Sequence, residues 1–100
     1  MYNHPMVRFE WDENKAEANL LNHGVNFYDA KYAFLDPNAI TERDPCDTEE
    51  RWQTLGMSGN YILLFVAHTT RFEKGMEIIR IISARCANKK EERLYGNRKL

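Results

Sequence analysis

Three arginines and one histidine are the residues of this sequence best suited to chemistry. Arg71, Arg80 and Arg85 lie in or at the end of two apolar stretches, Tyr61–Thr69 and Glu77–Arg85. A guanidinium among apolar neighbours must meet a carboxylate, a phosphate or the rim of its sheet, because burying it unpaired is costly. Arg80 interrupts the run Ile78–Ile82 and is read as a member of an ion pair, for instance with an acid on the first helix. Arg71 and Arg85 end their strands near a basic C-terminal stretch, and for them anion binding and ion pairing stand side by side. Residues 80 and 85 have opposite parity, so in an unbroken strand they face opposite sides of a sheet. His68 ends an apolar strand beside Thr69, Thr70 and Arg71. It is either a proton-transfer group near neutral pH or a hydrogen-bonded strand-end residue. His4 falls in the terminal arm. His23, next to Gly24, suits the negative end of a helix dipole and reads as structural.

No metal site is expected. The histidines are far apart, there is no HExxH or cysteine-rich spacing, and the acidic stretch 42–50 lacks the spacing of a calcium loop. A phosphate-cradling glycine loop and a GxSxG elbow are both missing, so no cofactor is expected either. Cys46 and Cys86 show no CxxC or His-paired spacing. With no secretory leader at the N-terminus, they read as two free thiols of a cytoplasmic protein.

The elements that must position these residues fit one domain. One hundred residues, 43 % hydrophobic and 12 % aromatic, make one modest globular core. The longest apolar run, Tyr61–Ala67, is strand-sized and far short of a membrane span. The net charge of −1 hides an asymmetry. Residues 1–67 carry five basic and eleven acidic side chains, a net of −6; residues 68–100 carry nine basic and four acidic, a net of +5. A basic third suits a polyanion or an acidic partner, while scattered charges also serve solubility alone.

Val7–Trp11 alternates apolar and polar residues, which predicts a half-buried strand after a flexible arm of residues 1–6. Asp12 caps a helix that Gly24 ends, with Ala16, Leu20 and Leu21 on its apolar face. Asn26 caps a second helix, Phe27–Leu35, stopped by Asp36-Pro37. Ala39–Thr41 is a weak strand and Arg51–Met57 a clearer one. Tyr61–Thr69, apolar on both faces, belongs at the sheet centre and pairs with Glu77–Arg85 through a turn at Glu73-Lys74-Gly75. Asn88 and Glu91 form a capping box for a last helix. The order β-α-α-β-β-β-β-α, with helices grouped apart from a largely antiparallel sheet, is α+β. Both N-terminal helices are expected on one face. Folding about the turn puts residue 71 near 77 and residue 68 near 80. Arg71 and Arg85 then stand about eight residues apart along the strand, roughly 25 Å.

The chain resembles the BrnT family of type II toxin–antitoxin toxins. Phe9–Lys15 with Asn19-Leu20 and His23–Phe27 looks like the family's N-terminal signature. Glu50-Arg51-Trp52 with Leu55-Gly56 looks like its middle strand. Val66–Arg71, Arg80–Ala87 and Glu92–Tyr95 look like its C-terminal half. The similarity spans residues 8–95. It implies a RelE-like fold with a predominantly antiparallel sheet, two N-terminal helices and one C-terminal helix. It further implies an endoribonuclease that arrests translation and growth, neutralised by a BrnA-like antitoxin with a ribbon-helix-helix DNA-binding part. Operator DNA is then contacted only through the antitoxin. Arg71 and Arg85 occupy positions that the resemblance ties to RNA cleavage. Thr70 stands where the family often has an acid, and Cys86 and Asn22 where basic residues are frequent, which lowers the charge available for RNA.

Cleavage without metal needs the 2′-OH proton removed and the phosphorane charge held. Arginine forks suit the second task, and His68 is the candidate for acid–base work. Arg80, Lys89, Lys90 and Arg93 are candidate RNA contacts. Tyr95 either stacks on a base or packs the last helix on the sheet. Two functions are compatible with these residues: an endoribonuclease toxin, with Arg71 and Arg85 in separate subsites along one RNA, or a catalytically weak module acting through its partner complex. An acidic or amphipathic antitoxin segment is expected across the basic C-terminal region.

Overall fold

The structure is a computed structural model and describes residues 6–45 and 48–99. The arm reading of residues 1–5, with His4, and Cys46 lie outside the described residues. The elements run β1 (Met6–Glu10), α1 (Glu13–His23), α2 (Phe27–Ala30), β2 (Ile40–Arg43), β3 (Trp52–Met57), β4 (Leu63–Glu73), β5 (Met76–Cys86) and α3 (Lys89–Lys99), with a 3₁₀ segment at Lys31–Leu35. The predicted second helix is therefore one α turn followed by the tighter 3₁₀ form. Met6, expected in the arm, is the first residue of β1.

Local chemistry sets the element ends. The Asp12 carboxylate accepts from the Asn14 and Lys15 amides, and Gly24 closes α1 at φ 69°. Asn88 and Glu91 make the reciprocal capping box, the Glu91 amide donating to Asn88 Oδ1 at 2.8 Å and the Asn88 amide to Glu91 Oε1 at 2.9 Å. Lys74 and Gly75 both have positive φ, as a two-residue hairpin turn requires.

The five strands form one sheet in the order β1-β5-β4-β3-β2. Strands β2 to β5 are an antiparallel meander; β1 joins the β5 edge in parallel. The two-residue turn sets Arg71 opposite Ile78, one position from the expected register. Beyond His68 a bulge shifts the pairing again. Ser83 pairs with Ala67 but Ile81 pairs with His68, so Ile82 is an extra residue in β5. The bulge lets Ile81 and Ala84, of opposite parity, both enter the core. It also overturns the opposite-face placement of Arg80 and Arg85, which share a face.

α1, α2 and the 3₁₀ segment cover one side of the sheet. Phe27, Ala30, Ala33, Leu64, Val66 and Ile81 pack there, flanked by Phe9, Trp11, Ala16 and Phe34. Leu20 and Leu21, expected on the apolar face of α1, point outward; Leu21 is 82 % exposed. Asn19 turns inward in their place, its amide bonding the Val25 and Ala84 carbonyls and accepting from the Ala84 N–H. Gly56 lets the 3₁₀ segment approach β3, since a Cβ there would lie 2.3 Å from the Ala33 carbonyl oxygen. α3 lies against the opposite side, near Leu55 and Phe65.

Candidate functional site

Strand alternation sends two sets of polar residues to opposite sides of the sheet. The side away from α1 and α2 carries Arg8 and Glu10 of β1, Arg80 and Arg85 of β5, and Thr69 and Arg71 of β4. Only its far end is covered by α3. The remainder is an open surface of arginines and carboxylates.

At the hairpin end, Arg71 donates from Nη1 and Nη2 to the two Glu10 oxygens at 2.9 and 3.3 Å, and from Nε to Glu73 at 2.7 Å. Arg80, directly across from Glu10, donates to the same carboxylate at 3.2 Å. The Arg71 bonds, with those from Arg80, hold the Glu10 carboxyl below its ordinary range, and Glu10 and Glu73 raise the Arg71 guanidinium. Arg80 does form an ion pair, but its acid is not on the first helix, the example the sequence offers. It is on β1 instead, because β1 docks in parallel beside β5.

At the other end, Arg85 forks onto Glu91 at 2.9 and 3.0 Å and lies over the Phe65 ring at 4.3 Å. Glu91 raises the Arg85 guanidinium and is itself lowered by it. The first turn of α3 is thus tied to β5. Lys89, Lys90 and Arg93 on that helix are exposed, with no ion pair among the described residues. Arg85 is opposite Phe65, six positions along β4 from Arg71, so the two guanidinium clusters stand about 20 Å apart on one face. The structure keeps them as two separate arginine–carboxylate clusters.

His68 is not with them. It points to the other face, beneath Phe34, whose ring meets the imidazole edge-on at 4.7 Å. It is 3 % exposed. Its Nε2 shares a hydrogen with Thr54 Oγ1 at 2.7 Å, and Thr54 continues to Thr41 at 2.9 Å. Burial pushes its pKa down to about 4. A cavity of about 440 Å³ opens beside it, lined by Trp52, Thr70, Phe72 and Ile79. The expected neighbourhood of His68 with Arg71 and Arg85 is corrected by parity: residues 68 and 71 of one strand face opposite ways. Tyr95 is corrected in a similar way. It is 5 % exposed, and its hydroxyl donates to Asp36, which also accepts from the Met57 amide. The ring pins α3 to the end of β3 and is not available for base stacking. Burial and the Asp36 carboxylate raise its pKa to about 12.

Glu10 and Glu73, and the pairing of the cap residue Glu91 with Arg85, are what reading the sequence missed. The alternation of Val7–Trp11 already sets Glu10 opposite in direction to Phe9 and Trp11, but which arginines it meets depends on strand order. Among the described residues no three His, Cys, Asp or Glu side chains converge as a metal cluster. No helix among them is long and apolar enough to cross a membrane.

A model of the family described as the ribonuclease toxin BrnT of type II toxin–antitoxin systems matches residues 11–91. No curated protein sequence matches the chain. Among solved structures, the ribonuclease toxin BrnT of Brucella abortus is similar at 25 % identity and a TM-score of 0.58, over 84 % of this chain and 99 % of that one. The chain belongs to the BrnT family of ribonuclease toxins.

Proposed function

We propose that this ribonuclease toxin binds RNA along the open face of its sheet and cleaves it without a metal ion. The observation that carries the reading is the placement of Arg71, Arg80 and Arg85 on one exposed surface. A ribose 2′-OH attacks the adjacent phosphorus and gives its proton to solvent water; the P–O5′ bond breaks, leaving a 2′,3′-cyclic phosphate and a 5′-hydroxyl that takes its proton from water, while the charge that builds on the phosphorane oxygens is held by guanidinium forks. Arg71 and Arg80 form the subsite at the hairpin end. Arg85, Lys89, Lys90 and Arg93 form the second, farther along the same RNA strand. His68, buried on the other face, has no part in this arrangement.

The toxin acts in the cytoplasm, where RNA cleavage arrests translation and growth. Its antitoxin is a BrnA-like ribbon-helix-helix protein that carries the contacts to operator DNA. An acidic or amphipathic segment of it lies over the cationic face and inhibits by occlusion, with an affinity that weakens as salt rises.

Purified toxin with labelled RNA in the presence of a chelator tests the reading. Arg71→Ala and Arg85→Ala are expected to lower kcat by about 10²–10³, the usual cost of removing a donor to developing charge. The Arg71→Ala midpoint should stay near wild type, because its ion pairs are largely exposed and contribute little to stability, and Arg85→Ala, whose partner Glu91 is half-buried, should melt lower but stay folded at the assay temperature. Cleavage that survives both substitutions overturns the assignment. An Arg85→Ala protein that unfolds makes Arg85 a structural member of the Glu91 pair. One observation favours a second reading: Arg71 and Arg85 already hold carboxylates. A module whose cationic groups are occupied in this way would act through its antitoxin complex. Intact RNA after long incubation with wild-type protein that still binds its antitoxin selects that reading.

A further inference from the structure

We propose that Glu10 is a positioning residue of the cleavage site, holding Arg71 and Arg80 in one fixed arrangement toward the RNA phosphate. The inference rests on the open face being the RNA site. β1 is anchored from its other side: the Phe9 ring lies 5.4 Å from Phe34, and Trp11, just past the strand, lies 6.0 Å from Phe27. With Phe9 and Trp11 committed to the core, the residue between them is sent to the open face. Parallel pairing then places Glu10 beside Arg80.

The reach to Arg71 is longer. Arg71 lies on β4, two strands from β1, and the line to Glu10 crosses β5 between Ile78 and Arg80. Ile78, between Arg8 and Arg71 in register, is 1 % exposed although it is on the open face. The Arg71 stem stretched toward Glu10 is well placed to cover it. One carboxylate thus joins guanidinium groups from two strands and orders an arginine that would otherwise sample many rotamers.

Donor arithmetic leaves room for a phosphate. A guanidinium has five N–H groups. Glu10 and Glu73 engage three on Arg71, and Glu10 engages one on Arg80. The remaining donors stay available on two groups whose planes are set. Glu73 also touches Arg71, but its side chain is 55 % exposed against 30 % for Glu10, and it has no bond to Arg80. Glu10 is therefore the member that couples the pair. Bonded by two arginines, its carboxylate is held in the charged form and is poorly suited to accept the 2′-OH proton.

The test is Glu10→Gln, which keeps the shape and removes the charge. It is assayed beside wild type, Arg71→Ala and Arg80→Ala, at a temperature below all four melting midpoints. Cleavage is followed on labelled RNA, and binding by anisotropy of the same sequence with 2′-O-methyl groups. Loss of the clamp should lower kcat by about ten- to a hundredfold, as small misplacements do. Binding should hold or tighten, since one negative charge has left a cationic surface. The pH profile between 5 and 8 should keep its shape.

Faster cleavage by Glu10→Gln overturns the inference and makes Glu10 a competitor of the phosphate. A lost acid limb overturns it in favour of a general base. A lowered melting midpoint with unchanged kcat leaves Glu10 a purely structural residue. Wild-type cleavage by both Arg71→Ala and Arg80→Ala sinks the reading of the open face itself, which separates that failure from failure of the clamp.

Discussion

Asn19→Asp exchanges one nitrogen for one oxygen at the joint between α1 and β5. In the native chain Asn19 Nδ2 donates to the Ala84 carbonyl at 2.8 Å and to the Val25 carbonyl at 3.0 Å, while Oδ1 accepts from the Ala84 N–H at 3.1 Å. An aspartate keeps the last bond and turns the other two into oxygen facing oxygen. Asn19 is 6 % exposed, so water is a poor substitute. Each buried carbonyl left without a donor costs about 1–3 kcal/mol, which gives about 2–6 kcal/mol for the two. That is a large part of the total stability of a small domain. A protonated carboxyl can donate to one of the two carbonyls, so the folded state favours protonation and raises the new pKa. Between the unfolded value and this raised folded value, the native state holds more protons than the unfolded state. Stability therefore falls as pH rises through that window and is flat above it. Thermal melts of wild type and variant at pH 4 to 8 give the answer. At pH 7 the midpoint should drop by no less than about 8 °C, using the lower cost and about 4 °C per kcal/mol. Equal midpoints at pH 7, or a gap that narrows with rising pH, would contradict this account of the joint.

Four further outcomes are expected. His68, neutral in the fold with a pKa near 4 against 6.5 unfolded, makes the protein lose stability on acidification between those values, by about 3 kcal/mol in all. An imidazole NMR titration with a midpoint above 6 contradicts this. Tyr95→Phe removes the bond to Asp36 and should lower urea stability by about 1.5–3 kcal/mol, the worth of a bond to a charged group. An unchanged urea midpoint would mean that the ring alone docks α3. Gly56→Ala must displace the Ala33 backbone and should cost about 1–3 kcal/mol. Gly96→Ala, in the open on α3, should gain roughly 0.5–1 kcal/mol. Similar midpoints for these two glycine variants would mean that the contact under the 3₁₀ segment carries no strain.

Features under short-range control were legible in the sequence. Alternation marks β1 and β3 because a strand repeats every two residues, and apolar runs of strand length bounded by turn residues mark β4 and β5. Asp12, Gly24, Asn26, Asn88 and Glu91 mark helix ends because each cap closes on amides or carbonyls a few residues away. The order of elements, the α+β class and the basic C-terminal third come from the same local signals, and the family likeness of residues 8–95 points to the same fold. That Arg71 and Arg80 would share Glu10 was not legible, because this pairing joins residues across the whole chain. It depends on β1 docking in parallel at the β5 edge. A single bulge at Ile82 decided that Arg80 and Arg85 share a face. It exists because Ile81 and Ala84 both fill one core, and no local pattern announces such a shift. The inward turn of Asn19 has the same origin. Its partners are backbone groups at Val25 and Ala84, and only packing α1 against β5 makes a buried amide there more favourable than an exposed one.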